Sequence, residues 1–277
     1  MNLGSVLRRT PAPVLGTVGA LRYRSPGLYG DNRVYGRFIV LGHQRTGSTL
    51  VTSSLRRNPG VWCFSEVFNP GPIQFFTPGL SNDSRLLKAY RVRDPVGFLE
   101  RFIFRGYQPR IRAVGFKLFA DHMRLPHMEP LVATLAADEG LRCIHVSRAN
   151  HLRALLSLKL AKSTATWAAK DGGHAADVRV TIEPDELIAF SAKRRADEAV
   201  LRESFPGAPL CEVEYQELTR NLPDVLTKLQ HFLGVEPVPI EPPLRKQTTG
   251  SLTARIVDHD ALRAHFEGTE YAGWFDD

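Results

Sequence analysis

Between residues 38 and 233 the chain alternates short apolar runs with longer segments of helical period. The run Phe38-Ile39-Val40-Leu41 stops at Gly42, crosses a short polar loop and restarts as Ser48-Thr49-Leu50-Val51-Thr52-Ser53-Ser54-Leu55, predicting a strand, a loop and a helix over about 49–57. Asn58-Pro59-Gly60 is a turn, and 61–64 reads as a second core strand running into Ser65-Glu66. Residues 69–84, rich in proline and glycine, read as a loop over the site. Asp94-Pro95 opens a helix with Phe98, Leu99, Phe102 and Ile103 on one face. Residues 112–119 form a third strand, with Gly115 marking a close backbone approach. A helix over about 126–137, capped by Gly140, leads to a strand over 141–147 and a helical run over 152–161. Then follow a long helix from Glu183-Pro184 to about 204, a strand over 210–215, and helices over 223–233 and 258–266. This alternation predicts one α/β domain, a central parallel sheet of about five strands flanked by helices.

Residues 1–36 stand apart. Pro11, Pro13 and Pro26 with Arg8, Arg9, Arg22, Arg24 and Arg33 describe an N-terminal arm, and 37–277 the domain proper. The arm's apolar patch, 14–21, is too short to span a bilayer, and contact with a membrane surface through the arm stays open. A hydrophobic fraction of 43% with 23% charged residues excludes disordered and fibrous classes. The net charge of +7 suits an anionic partner. No RNA-recognition signature, zinc-finger spacing or basic helix with interleaved aromatics is present, which argues against nucleic acid. Cys63, Cys143 and Cys211 lie in apolar strand-like runs, giving neither a disulfide framework nor a metal site and fitting a reducing, cytoplasmic compartment.

The stretch 42–49 has the layout of an anion cradle. The first turn of a helix presents N–H groups without intrahelical partners at the positive end of the macrodipole. Gly42 and Gly47 let the backbone bend around an anion, Thr46, Ser48 and Thr49 offer hydroxyls, and Arg45 adds a charge. Set against the G-x-x-x-x-G-K-[ST] loop of nucleoside triphosphatases, both glycines and Thr49 fall in register, but Ser48 takes the lysine's place. That lysine normally reaches the β- and γ-phosphates, so its loss argues against ATP or GTP chemistry.

Gln44-Arg45-Thr46-Gly47-Ser48-Thr49-Leu50 resembles the 5′-phosphosulfate loop of sulfotransferases, in the form of the carbohydrate-modifying branch. Arg148 and Ser157 resemble the arginine–serine pair by which those enzymes hold the donor's 3′-phosphate, and Gly268-Thr269-Glu270-Tyr271 resembles the family's C-terminal pattern. The resemblance covers most of 37–277 and is closest to bacterial trehalose, Nod-factor and lipopolysaccharide sulfotransferases. It implies a P-loop-like sulfotransferase fold, 3′-phosphoadenosine 5′-phosphosulfate as co-substrate, no metal, and sulfation of a carbohydrate or glycolipid hydroxyl. The trehalose enzymes also suggest a homodimer. Trp167 resembles the aromatic of the bacterial members, where stacking on adenine and plain packing stand equal. Arg245 and Lys246 resemble a 3′-phosphate clamp, with a solvent-facing loop as the equal alternative.

Sulfuryl transfer needs an activated hydroxyl, an in-line sulfuryl group and donors for the leaving phosphate. Arg45, Ser48 and the loop amides suit the last role, where one well-placed donor contributes about 3 kcal/mol. Glu66, at a strand end beside the loop, is the candidate base, against the alternative of a carboxylate merely paired with Arg45 or Lys117. His122 competes for the role, since histidine serves it in other sulfotransferase branches. His43 lines the loop, and His145 alternates with core residues. Lys117 is either a contact to sulfate or acceptor or an exposed strand-end lysine. Lys193-Arg194-Arg195 reads as a solvated charge run. A P-loop-like small-molecule kinase and a catalytically silent nucleotide-binding protein of the same fold stay open.

Overall fold

The computed structural model describes residues 28–74, 83–164, 178–241 and 251–276. Five parallel strands, β1 (Gly36–Gly42), β2 (Val61–Cys63), β3 (Ala113–Phe119), β4 (Leu141–Ser147) and β5 (Leu210–Glu214), pair in the order β2-β3-β1-β4-β5. β1 is central, with Val40 opposite Lys117 on one side and Leu41 opposite His145 on the other. Because every strand is parallel, all five carboxyl ends lie along one edge, and the loop after β1 sits in its middle.

The strand period of two assigns the faces. Ile39 and Leu41 pack with Phe98, Phe102, Leu131 and Leu135, while Phe38 and Val40 pack with Val51, Leu55, Val225 and Leu229. Helices α1 (Ser48–Leu55), α2 (Arg85–Arg93), α3 (Pro95–Phe98), α4 (Glu129–Ala136), α5 (His151–Thr164), α6 (Pro184–Glu203), α7 (Leu222–Phe232) and α8 (His259–His265) join or flank these strands. A third cluster unites Leu152, Leu156 and Leu187 with Leu252, Ile256, Phe266 and Phe275, which seats the C-terminal segment against α5 and α6.

The expected α/β alternation is borne out, with differences that have physical causes. The strand after Asn58-Pro59-Gly60 is a three-residue edge strand, not a core one. Asp94 caps α3 by accepting from the Gly97 N–H at 2.8 Å, but the helix widens into a π-turn over Leu99–Ile103, where the Phe104 N–H reaches back to the Leu99 carbonyl. Gly115 does mark a close approach, since a Cβ there would lie 2.4 Å from the Phe38 carbonyl oxygen. Of the segment expected as an arm, Leu28 and Tyr29 are buried and the Gln108 N–H donates to the Leu28 carbonyl, so chain packing begins before residue 37. Residues 1–27 lie outside the described residues. No helix among the described residues is long and apolar enough to cross a membrane.

Candidate active site

The loop between β1 and α1 is shaped by three positive φ values, at Gly42 (152°), Arg45 (66°) and Gly47 (89°). A Cβ on Gly42 would lie 2.7 Å from the Val146 carbonyl oxygen, so that position admits only glycine without displacement of β4. The Thr46 hydroxyl donates to the His43 carbonyl at 2.9 Å and closes the turn internally. Ser48, in the first turn of α1, is buried.

On the β4 side the loop is gripped by cations. Arg148, just past β4, donates to the Arg45 carbonyl at 3.1 Å while its guanidinium lies 4.2 Å from the Tyr215 ring centre. The Arg45 Nε in turn donates to the Ser157 hydroxyl at 2.9 Å. Arg45, Arg148 and Ser157 are therefore one connected cluster, although Ser157 lies well inside α5. Burial lowers the pKa of Arg45 and takes that of Arg148 down to about 10, so Arg148 stays charged at neutral pH.

On the β3 side the arrangement is different. Lys117 is 1% exposed, and its ammonium donates to the Thr49 hydroxyl at 2.9 Å and to Glu66 Oε1 at 3.1 Å. The expectation of an exposed strand-end lysine is thus overturned, because residue 117 points from β3 under the first turn of α1. Glu66 Oε2 accepts from the Asn69 amide at 3.0 Å. Burial would raise the Glu66 carboxyl, but the Lys117 ammonium and the Asn69 bond more than offset it and hold the group below its ordinary range. Lys117 is lowered by burial, with Glu66 opposing.

His122 sits in the short helical turn Ala120–Met123 that follows β3. Its ring stacks on Phe119, and its Nδ1 accepts from the Phe119 N–H at 3.4 Å, so the ring proton is on Nε2. Burial depresses it to about 4, leaving it neutral. His43 is buried with Nδ1 3.8 Å from Asp197, and burial takes it down to about 3. His145 is buried in β4, facing Glu212 at 3.4 Å. Trp167, Arg245 and Lys246 lie outside the described residues. Among the described residues no group of three His, Cys, Asp or Glu could hold a metal ion.

Three contributors escape a reading by pattern alone. Arg194 is not part of a solvated run: it is 4% exposed and donates to the Gln44 carbonyl at 2.5 Å, while Lys193 pairs with Asp121 and Asp197 and Arg195 pairs with Glu270 at the surface. The signal was present in the spacing, since Leu187, Ser191, Arg194, Asp197 and Leu201 form one buried stripe on α6. Tyr215, one residue past β5, supports Arg148. Arg91, buried although α2 is mostly polar, donates to the carbonyls of Val67, Pro70 and Gly71 and so fixes the segment that carries Glu66 and Asn69.

No protein-family model matches the chain. The chain is 24% identical over 244 residues to nodulation protein H of Rhizobium tropici, covering 86% of this chain and 92% of that protein. It is 27% identical over 247 residues to nodulation protein H of Rhizobium meliloti, covering 86% and 94%. A sulfotransferase from Alicyclobacillus acidocaldarius is a loose structural neighbour, with a TM-score of 0.48 and 15% identity over 86% of this chain and 98% of that one. The loop after the central strand and the parallel sheet that carries it bear out the resemblance drawn from residues 44–50, and the likeness to nodulation protein H runs nearly end to end. What the chain is similar to, over 86% of its length, is nodulation protein H of two Rhizobium species.

Proposed function

We propose that this enzyme moves the sulfuryl group of 3′-phosphoadenosine 5′-phosphosulfate to a hydroxyl of a carbohydrate or glycolipid, with Glu66 as the base. The observation that carries this is the Lys117 ammonium bridging Thr49 and Glu66, which sets a carboxylate beside the anion loop. The 5′-phosphosulfate would lie on the amides of 45–49 at the start of α1, and the 3′-phosphate on Arg148 and Ser157. Glu66, held deprotonated, accepts the acceptor's proton as its oxygen attacks sulfur. The S–O bond to the donor phosphate breaks as the new one forms, and the leaving phosphate takes up the electron pair against Arg45 and the loop donors. His122 suits the base role less well, because its proton occupies Nε2 and its Nδ1 is engaged by backbone. The acceptor class is supported by the carbohydrate-modifying form of the loop.

Calorimetric titration with adenosine 3′,5′-bisphosphate, beside ATP with magnesium, tests the donor. Magnesium-independent binding of the bisphosphate that Arg148→Ala weakens about a hundredfold is expected from the loss of a charge-assisted phosphate contact. Binding of ATP–magnesium in its place would leave the kinase as the better account.

A further inference from the structure

The buried stripe of α6 is the wrong composition for a helix that only packs. Between Leu187 and Leu201 it carries Ser191, Arg194 and Asp197, all buried, where period alone calls for apolar side chains. Asp197 has its counter-charges in Lys193, at 2.7 Å, and Arg124. Arg194 has none: among the described residues no carboxylate lies within ion-pair distance of Arg194 or of Arg148. The Arg194 guanidinium lies 4.6 Å from the Phe190 ring centre, gives Nη2 to the Gln44 carbonyl, and leaves Nη1 buried without a hydrogen-bond partner among the described residues. A buried guanidinium that meets one carbonyl, leaves Nη1 unbonded and feels Glu198, Asp197 and Asp121 only from beyond ion-pair distance costs stability, so an apolar residue would serve the core better.

Its placement accounts for the cost. Gln44 and Arg45 are consecutive, and their carbonyls are held from opposite elements by Arg194 of α6 and by Arg148. Arg45 adopts left-handed backbone without being glycine, an unfavourable conformation that persists only where its surroundings impose it. Two cations on neighbouring carbonyls hold it in place and put positive charge behind the loop.

We propose that Arg194 is a positioning residue of the donor site, holding the Gln44–Arg45 backbone in its anion-binding shape and supplying charge that the bound donor neutralises. The proposal rests on the donor assignment above, and its test separates the two. Amide hydrogen exchange across 42–49 without ligand, and calorimetric binding of adenosine 3′,5′-bisphosphate, are measured on the full chain and on Arg194→Gln and Arg194→Lys. Gln keeps a donor but no charge. It should bind the bisphosphate about tenfold or more weakly and exchange about tenfold faster at 43–47 only, as expected for loss of one charged hydrogen bond. Lys keeps the charge and should bind within about threefold of wild type, with exchange at 43–47 raised a few-fold. Wild-type binding and loop exchange in Arg194→Gln, or faster exchange spread through α6 and the sheet, overturns the proposal. If the wild-type chain does not bind the bisphosphate, the donor assignment falls and loop exchange alone decides Arg194. If Arg194→Gln does not fold, Arg194→Lys decides: faster exchange confined to 43–47 sustains the role, and wild-type exchange there removes it.

Discussion

The two flanks of the loop after β1 are built on opposite electrostatic plans. On the β3 flank a buried ammonium meets a carboxylate at 3.1 Å, and the charges cancel. On the β4 flank the guanidiniums of Arg148 and Arg194 are equally buried, yet spend their hydrogen bonds on backbone carbonyls. A balanced pair that keeps a carboxylate ionised suits proton transfer, whereas buried cations with no carboxylate in direct contact suit capture of a polyanion. On the proposed base and donor assignments, one sheet edge separates the two demands of group transfer by which partner each cation is given.

The sharpest break of that contrast is Glu66→Gln, which keeps the size and the Asn69 contact and removes the proton acceptor. It should lower kcat by about 10²–10⁴ while leaving bisphosphate binding unchanged, measured by turnover and calorimetry on one preparation. A parallel loss of binding would show that the two flanks are not separate. Next is Lys117→Met, which strands the Glu66 carboxylate half-paired at the rim. A loss of about 2–3 kcal/mol in denaturant unfolding is expected, below the usual cost of breaking a fully buried pair because Asn69 and partial solvent access remain. In the double variant Lys117→Met/Glu66→Gln most of that loss should return, and its persistence would mean that the pair does not interact. A third effect is one of pH. His43, His122 and His151 are depressed by burial to about 3, about 4 and about 4 from 6.5, so each stays neutral in the folded chain where the unfolded chain already takes a proton. Stability is complete above pH 6.5 and falls as pH drops through 6.5 toward 4, so melting temperature should decline before the carboxylates titrate. His151→Gln should flatten part of that decline, and an unchanged slope would remove His151 from it.

What was legible in the sequence, and what was not, follows the same division. Strands such as 141–147 and the loop 42–49 announce themselves because apolar runs and glycines act locally. The edge position of β2, α2 and the roles of the polar residues on the α6 stripe do not, because they are decided by partners far along the chain. Arg91 looks solvent-bound until Val67 and Gly71 are seen to accept from it, and Arg194 until Gln44 is. The pairing of Glu66 with Lys117 was one of two partners the sequence offered, and choosing it over Arg45 needed the register of β2 on β3, which no pattern in either strand states. The link from Arg45 to Ser157 needed the lean of α5 over the loop.

The sheet order has a practical corollary. Since β2 and its following segment occupy one edge and β4 with β5 the other side, the stretch from β2 to Arg112, which carries Glu66, can be exchanged between relatives as a cassette without cutting β1, β3, β4 or β5. On the donor and acceptor assignments proposed above, chimeras joined at Asn58-Pro59-Gly60 and at Arg112 are expected to change acceptor choice while inheriting the loop after β1 intact.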